Sequence, residues 1–301
     1  MKDVAVPSAS SVSTVGRRSN VVSDYVALAK PRLNLLVVAT SAAGYYLGAP
    51  TAPHLLPLAL AVSGTALVAG GAAALNQVYE RDTARLMRRT RTRPLPDGRV
   101  GVAEARLFGT ALAAAGVALL AFGANLFSAI LALATIAIYL AVYTPMKRRS
   151  SVATLVGAVP GALPPLIGWT AARGAISPGG WALFAIVFLW QIPHFMAIAW
   201  MYRDDYRQAG FPMLPVVEPD GRSTGRQAVL YATLLLPASV APTFLGVAGW
   251  PYFWLASVLG VALIVLSVRF AARRSERSAR ELFFGSITYL PLIWAAMILN
   301  H

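Results

Sequence analysis

The chain has 301 residues, of which 57% are hydrophobic and only 13% are charged, about half the ~25% charged content of an ordinary soluble domain. Its 26 Lys and Arg outnumber its 12 Asp and Glu, leaving a net charge of +14. A soluble nucleic-acid-binding protein this basic would be charge-rich throughout, and a disordered chain would be far less apolar, so an integral membrane protein remains. Cysteine is absent, which removes disulfides, thiolate metal centres and iron–sulfur clusters.

Residues 1–23 carry no continuous apolar stretch and no small-residue cleavage site. They are expected to form a flexible cytoplasmic tail rather than a removable leader, with residues 24–301 forming one intramembrane domain. A helix needs about 20 apolar residues to cross the hydrocarbon core. Seven runs free of Asp, Glu, Lys and Arg are long enough to matter: 33–49, 55–78, 107–146, 150–172, 174–202, 227–268 and 282–301. The runs 107–146 and 227–268 are each long enough for two spans, with turn residues at 123–125 and 246–251. Nine transmembrane helices follow. A β-barrel is excluded, because barrel strands alternate apolar and polar residues and these runs do not.

With nine spans, 25 of the 26 basic residues fall on the side of the N-terminus and only Arg173 falls on the other. Lys and Arg bias sets orientation, so the N-terminus is expected in the cytoplasm. All 12 acidic residues share that side. Acidic residues do not direct topology, so their clustering points to chemistry at the cytoplasmic mouth, although short outer loops would also produce it.

Three motifs lie at that mouth. The first, NQVYERDTARLMRRTRTRPLP at 76–96, ends the second span. Asn76 and Glu80 share a helix face, being four apart, and Arg88, Arg89 and Arg93 follow with Asp82 between. Carboxylates beside an arginine cluster suit a ligand carrying both a divalent metal and phosphate, and they also suit a merely topogenic basic loop. The second, YTPMKRR at 143–149, holds Tyr143 and Lys147. Pro145 argues against a regular helix there, leaving their shared face open. The third, LWQIPHFMAIAWMYRDDYRQAGFPMLPVV at 189–217, buries Gln191 and His194 in an apolar run and places Asp204 and Asp205 at its end. Polar residues within a span are functional candidates. A histidine satisfied by a neighbouring helix is an equal reading of His194. The aromatics Tyr139, Tyr143, Trp169, Trp190, Phe195 and Trp200 suit either carbocation stabilisation or packing. The Gly/Ala runs at 64–75 and 156–169 suit close helix packing, and the prolines of the latter predict a broken fifth helix.

The stretches 25–47, 76–96, 143–169 and 191–217 resemble the UbiA-type intramembrane prenyltransferases, and GALPPLIGW with PHF…DDY…AGFPMLP is most similar to their haem-modifying branch. The resemblance implies an all-α fold of nine helices around a lipid-open central cavity, in a bacterial inner membrane, with the active site on the cytoplasmic side. It implies farnesyl transfer with addition of water from farnesyl diphosphate to a vinyl group of haem b, with Mg²⁺ as cofactor. A quinone precursor or chlorophyllide as acceptor, and a non-catalytic transporter, are the alternatives. It further implies a metal site drawn from Asn76, Glu80, Asp82, Asp204 and Asp205, and diphosphate contacts from Arg88, Arg89, Arg93 and Lys147. Tyr143 would stand near the reacting carbon, with His194 and Gln191 as haem contacts. No nucleic acid is expected as partner; a haem a synthase or oxidase assembly factors are. The sequence departs from the superfamily pattern in one place. An acid usual four residues after Glu80 is Ala84 here. An ideal helix puts Asp82 about 200° from Glu80, so either the helix breaks there or this acidic group is weak. The usual Asp after the Asn is Gln77.

Overall fold

The computed structural model describes residues 20–301 except positions 53 and 89. Most of the expected tail therefore lies outside the described residues, and so does Arg89. Among the described residues the fold is helical throughout, with no strand.

The first helix, α1 (Val21–Ala29), starts with Asn20 accepting from the amide of Val22 at 3.1 Å. It begins three residues earlier than the expected domain boundary. Helix α2 (Pro31–Gly48) follows after a 46° bend. Pro31 has no N–H to continue the ladder and disfavours the helical region at the residue before it, and Lys30 turns left-handed at φ 49°. Two contacts fasten α1 inward. Gln77 donates to the Leu28 carbonyl at 2.7 Å, and the buried Asp24 pairs with Arg99 at 3.2 Å.

The remaining spans are α3 (Leu55–Tyr79), α5 (Val102–Gly123), α6 (Leu126–Ala137) with its continuation, α8 (Ala153–Arg173), α9 (Pro178–Met201), α12 (Arg222–Phe244), α13 (Trp250–Arg273) and α14 (Glu276–Leu299). Among the described residues, eight helices are long and apolar enough to cross a bilayer, and the bent α1–α2 pair, taken as one span, makes a ninth. Both long runs divide where turn residues were expected. Asn125 caps α6 by accepting from Ser128 at 2.9 Å. Gly249 starts α13 with Pro251 in its first turn, where a missing N–H costs nothing.

The small residues act as close-packing surfaces. A Cβ on Gly71 would meet the Gly109 carbonyl at 2.6 Å, and one on Gly116 would meet that of Gly64 at 2.7 Å, so α3 and α5 touch backbone to backbone. Helices α2 and α8 touch in the same way at Gly44 and Gly168. The expected break in the fifth span is a correction: α8 runs unbroken through Pro160, Pro164 and Pro165. All three prolines are buried, so neighbouring helices hold the segment helical despite the lost hydrogen bonds. Helices α8 and α9 are the most enclosed spans, with α2 and α6 against α8, and α12 and α14 against α9.

Candidate active site

Two spans, α3 and α6, end side by side and bring the first two motifs together. Helix α3 stops at Tyr79, and Glu80 takes φ −96°, ψ 6° before the short α4 (Arg81–Leu86). The chain thus leaves ideal helical geometry at Glu80. Asp82 lies exposed in the first turn of α4, and Ala84, at the position of the missing acid, is buried.

At the end of α6 the helix widens into a π-helical turn, Ile138–Tyr143, before the short α7 (Thr144–Met146). Pro145 explains this. Its ring clashes with the carbonyl four residues earlier and it donates no hydrogen bond, and a wider turn relieves both problems. The irregular turn agrees with the expectation that Pro145 disfavours a regular helix there, and the shared face it left open is now set. The Lys147 amide still donates to the Tyr143 carbonyl at 2.9 Å, so the two residues are one turn apart. The wider turn also stacks Tyr139 on Tyr143, at 5.4 Å and 21°.

Lys147 Nζ sits 3.0 Å from Glu80 Oε1, across 67 residues of sequence. Asn76 Nδ2 donates to Glu80 Oε2 at 3.1 Å. The Thr144 hydroxyl lies 2.9 Å from Asn76 Oδ1 and 2.7 Å from the Tyr139 carbonyl. Both Glu80 oxygens therefore carry a donor. Burial alone would push the Glu80 carboxyl up, but the charge and hydrogen bond of Lys147, aided by Lys30 and Asn76, hold it below its ordinary value. Burial likewise favours loss of the Lys147 proton, and Tyr143, Glu80 and Tyr206 outweigh it, so the ammonium stays charged.

The third motif reaches the same place through its neighbours. Asp204 and Asp205 lie in α10 (Arg203–Gln208), which is followed by α11 (Leu214–Val217). Tyr206 and Phe211 pack with Met87 of the first loop in one buried cluster, and Lys147 Nζ lies 4.9 Å from the Phe211 ring centre. The acids themselves differ. Asp204 is exposed and pairs with Arg207 at 2.7 Å, whereas Asp205 is partly buried.

The arginines divide by role. Arg85 donates to the Pro96 carbonyl at 2.9 Å and Arg99 joins Asp24 and Asp97, so both hold the loop together. Arg148 is hydrogen-bonded to Thr83. Arg88 is exposed, and the partly buried Arg93 lies within electrostatic reach of Tyr139.

Deeper in α9, Gln191 donates to the carbonyls of Ala158 and Val187 at 3.2 and 3.1 Å, so its amide is committed to joining α9 to α8. His194 is bonded through Nδ1 to Ser286 Oγ at 2.8 Å. Sequence reasoning missed Thr144, Phe211, Tyr206 and Ser286. Each is an ordinary residue type in its own segment and acquires its role only from a distant partner.

Among the described residues no three His, Asp or Glu side chains converge into a ready-made metal cage. The donors available, Asn76 Oδ1 and the carboxylates of Glu80 and Asp205, are all hard oxygens. Mg²⁺ is usually held by one or two carboxylates together with substrate phosphates and water. The residues fit such an ion in the company of a diphosphate, with Lys147 providing the positive charge on Glu80 in its absence.

Known proteins are similar to this chain over most of its length. The UbiA prenyltransferase family matches residues 37–289. A Protoheme IX farnesyltransferase of Solibacter usitatus is 47% identical, covering 92% of this chain and 98% of that protein. One from Myxococcus xanthus is 44% identical, over 93% and 95%. Among solved structures, a digeranylgeranylglyceryl phosphate synthase superposes with a TM-score of 0.79 at 17% identity, over 93% and 98% of the two chains. A UbiA homolog from Archaeoglobus fulgidus bound to GPP and Mg²⁺ does so at 0.67 and 20%, over 91% and 99%. These two structures bear on the fold alone. The family match over residues 37–289 and relatives 44–47% identical over more than nine-tenths of the chain make this protein a member of the UbiA prenyltransferase family.

Proposed function

We propose that the chain transfers the farnesyl group of farnesyl diphosphate to a vinyl group of protohaem IX, with addition of water, giving haem o and diphosphate. One observation carries the reading: the mouth that joins Asn76, Glu80, Tyr143 and Lys147 belongs to a chain matched nearly end to end by relatives named Protoheme IX farnesyltransferase.

The C1–O bond of farnesyl diphosphate breaks, with its electron pair leaving on the diphosphate. C1 bonds to the terminal vinyl carbon, and the cation left beside the pyrrole ring takes up water and loses a proton. The chain's task is to favour departure of the anion and shelter the cation. Lys147, with Arg88, Arg89 and Arg93, supplies fixed positive charge where the leaving group develops its negative charge. The stacked Tyr139 and Tyr143 offer π faces to the allylic cation. Asn76, Glu80 and Asp205, with Asp82 and Asp204 as further oxygen donors, would hold Mg²⁺, which supplies charge neutralisation on the diphosphate. A lipid-open central cavity admits the farnesyl tail and keeps bulk water away. The Lys/Arg asymmetry supports a cytoplasmic N-terminus and a mouth on the cytoplasmic side of a bacterial inner membrane, with residues 24–301 acting as one domain. A haem a synthase or an oxidase assembly factor would receive the product.

The test incubates purified protein with haem b, farnesyl diphosphate and Mg²⁺ and analyses the pigment by mass spectrometry. The expected product is a hydroxyfarnesylated haem with release of diphosphate. Transfer only to a quinone precursor or chlorophyllide would change the acceptor, and no transfer to any of them would leave a transporter.

A further inference from the structure

His194 sits in a built environment that the diphosphate chemistry does not use. Its ring lies 5.1 Å and 17° from Trp190 and 5.1 Å and 21° from Phe283, so two aromatic neighbours fix its plane. Its Nδ1 is 2.8 Å from Ser286 Oγ. The Ser286 hydroxyl is 2.7 Å from the Phe283 carbonyl, and the Ser286 carbonyl receives the Trp190 indole N–H at 2.7 Å. Ser286 is wholly buried and is thus held at both ends.

This network favours one tautomer. A hydroxyl has one proton. We assign it to the Phe283 carbonyl, the shorter of the two contacts at 2.7 Å against 2.8 Å, so toward His194 the Ser286 oxygen accepts. Nδ1 then carries the imidazole proton, and Nε2 keeps a bare lone pair. The ring is partly exposed, while its Nδ1 side is anchored in the buried α9–α14 contact. A neutral imidazole whose second nitrogen donates to a fixed oxygen is the arrangement found in metal-ligating histidines, where the outer partner sets tautomer and orientation.

Resting on the acceptor being protohaem IX, we propose that His194 Nε2 is an axial ligand of the acceptor's iron and that Ser286 is its positioning residue. His194 lies seven residues before the end of α9, about 10 Å inside the mouth at 1.5 Å per residue. Iron held there leaves the propionates free to reach toward the basic mouth. Gln191, one turn earlier, is committed to α8 and takes no part.

The experiment compares haem b with metal-free protoporphyrin IX, binding each to the full-length protein in detergent or nanodiscs. His194→Phe keeps an aromatic ring in the stack and removes the ligand. Haem affinity should fall about 10-fold or more, with loss of the imidazole-ligated absorption and resonance Raman signature, while metal-free porphyrin affinity stays within about twofold. Ser286→Ala should retain ligation but weaken haem binding by about 10-fold and shift the iron–imidazole stretch. Should His194→Phe fail to fold, the wild-type Raman spectrum and Ser286→Ala carry the test. Equal loss for both porphyrins reduces His194 to packing and overturns the proposal, as does an unchanged haem spectrum. If the wild type farnesylates haem while either result holds, the ligation is wrong and the transferase reading stands. If it neither binds nor modifies haem, the transferase reading itself fails.

Discussion

The two acidic motifs reach the same mouth in opposite states. Glu80 is partly buried, hydrogen-bonded on both oxygens, and connected directly to Lys147 and through Asn76 to Thr144, both on one distant stretch of chain. Asp204 is exposed on a six-residue helix and pairs with Arg207, three positions away. The difference follows from where each motif sits. Glu80 ends a 25-residue span that is packed along its length, so its side chain inherits the rigidity of the bundle. Asp204 and Asp205 stand beyond the end of theirs, held by Tyr206 and Phe211. In the proposed site, the first motif would be the preassembled half and the second the more adaptable one.

The largest effect should come from breaking the assembled half. Glu80→Gln should lower kcat/KM for haem farnesylation by about 10² to 10³, the scale of losing one preorganised electrostatic group. Lys147→Met removes the counter-charge of a pair whose side chains are only 17% and 14% exposed. It should destabilise the protein by about 1–3 kcal/mol by leaving the partly buried Glu80 without its counter-charge. Combining it with Glu80→Gln should restore the melting temperature without restoring activity. A double variant as unstable as Lys147→Met alone would show that the lysine acts by packing on Phe211.

Asp205→Asn should reduce activity about 10- to 100-fold and raise the Mg²⁺ concentration needed for half-maximal rate, whereas Asp204→Asn should change either by less than about threefold. Equal losses would erase the distinction between the partly buried and the exposed acid. Thr144→Val should cost activity about 3- to 10-fold through a freed Asn76 amide, comparable to a hydrogen bond of about 1 kcal/mol. The smallest effect is on pH dependence. The Glu80 carboxyl is held below its ordinary 4.5. Its contribution to stability is therefore fully present above pH 4.5 and is lost as pH falls below that value through the folded one. Wild type should lose melting temperature more steeply than Glu80→Gln between pH 5 and 3, and parallel curves would refute the linkage.

Much of the fold was legible because its signals are local. Charge-free runs mark the spans, and Asn125 and Gly249 mark the turns between them. The candidate residues Asn76, Glu80, Tyr143 and Lys147 were legible as types at a mouth. The two proline readings fared differently, the one for Pro145 holding and the one for the fifth span failing. Pro145 sits in a helical turn because a π turn makes room for it, and Pro160, Pro164 and Pro165 sit in an unbroken α8 because buried neighbours hold it. Proline's cost is local, but whether it breaks a helix depends on what packs around it.

The sequence alone determined the solvent of this protein, its number of crossings and the side that bears its charge. Hydrocarbon excludes ionised groups wherever they occur, so these properties can be counted along the chain. Tertiary structure decided the partners: Lys147 with Glu80, Thr144 with Asn76, Ser286 with His194, at separations of 67, 68 and 92 residues. A hydrogen bond depends on distances of a few tenths of an ångström, and only the packing of α3, α6, α9 and α14 sets those.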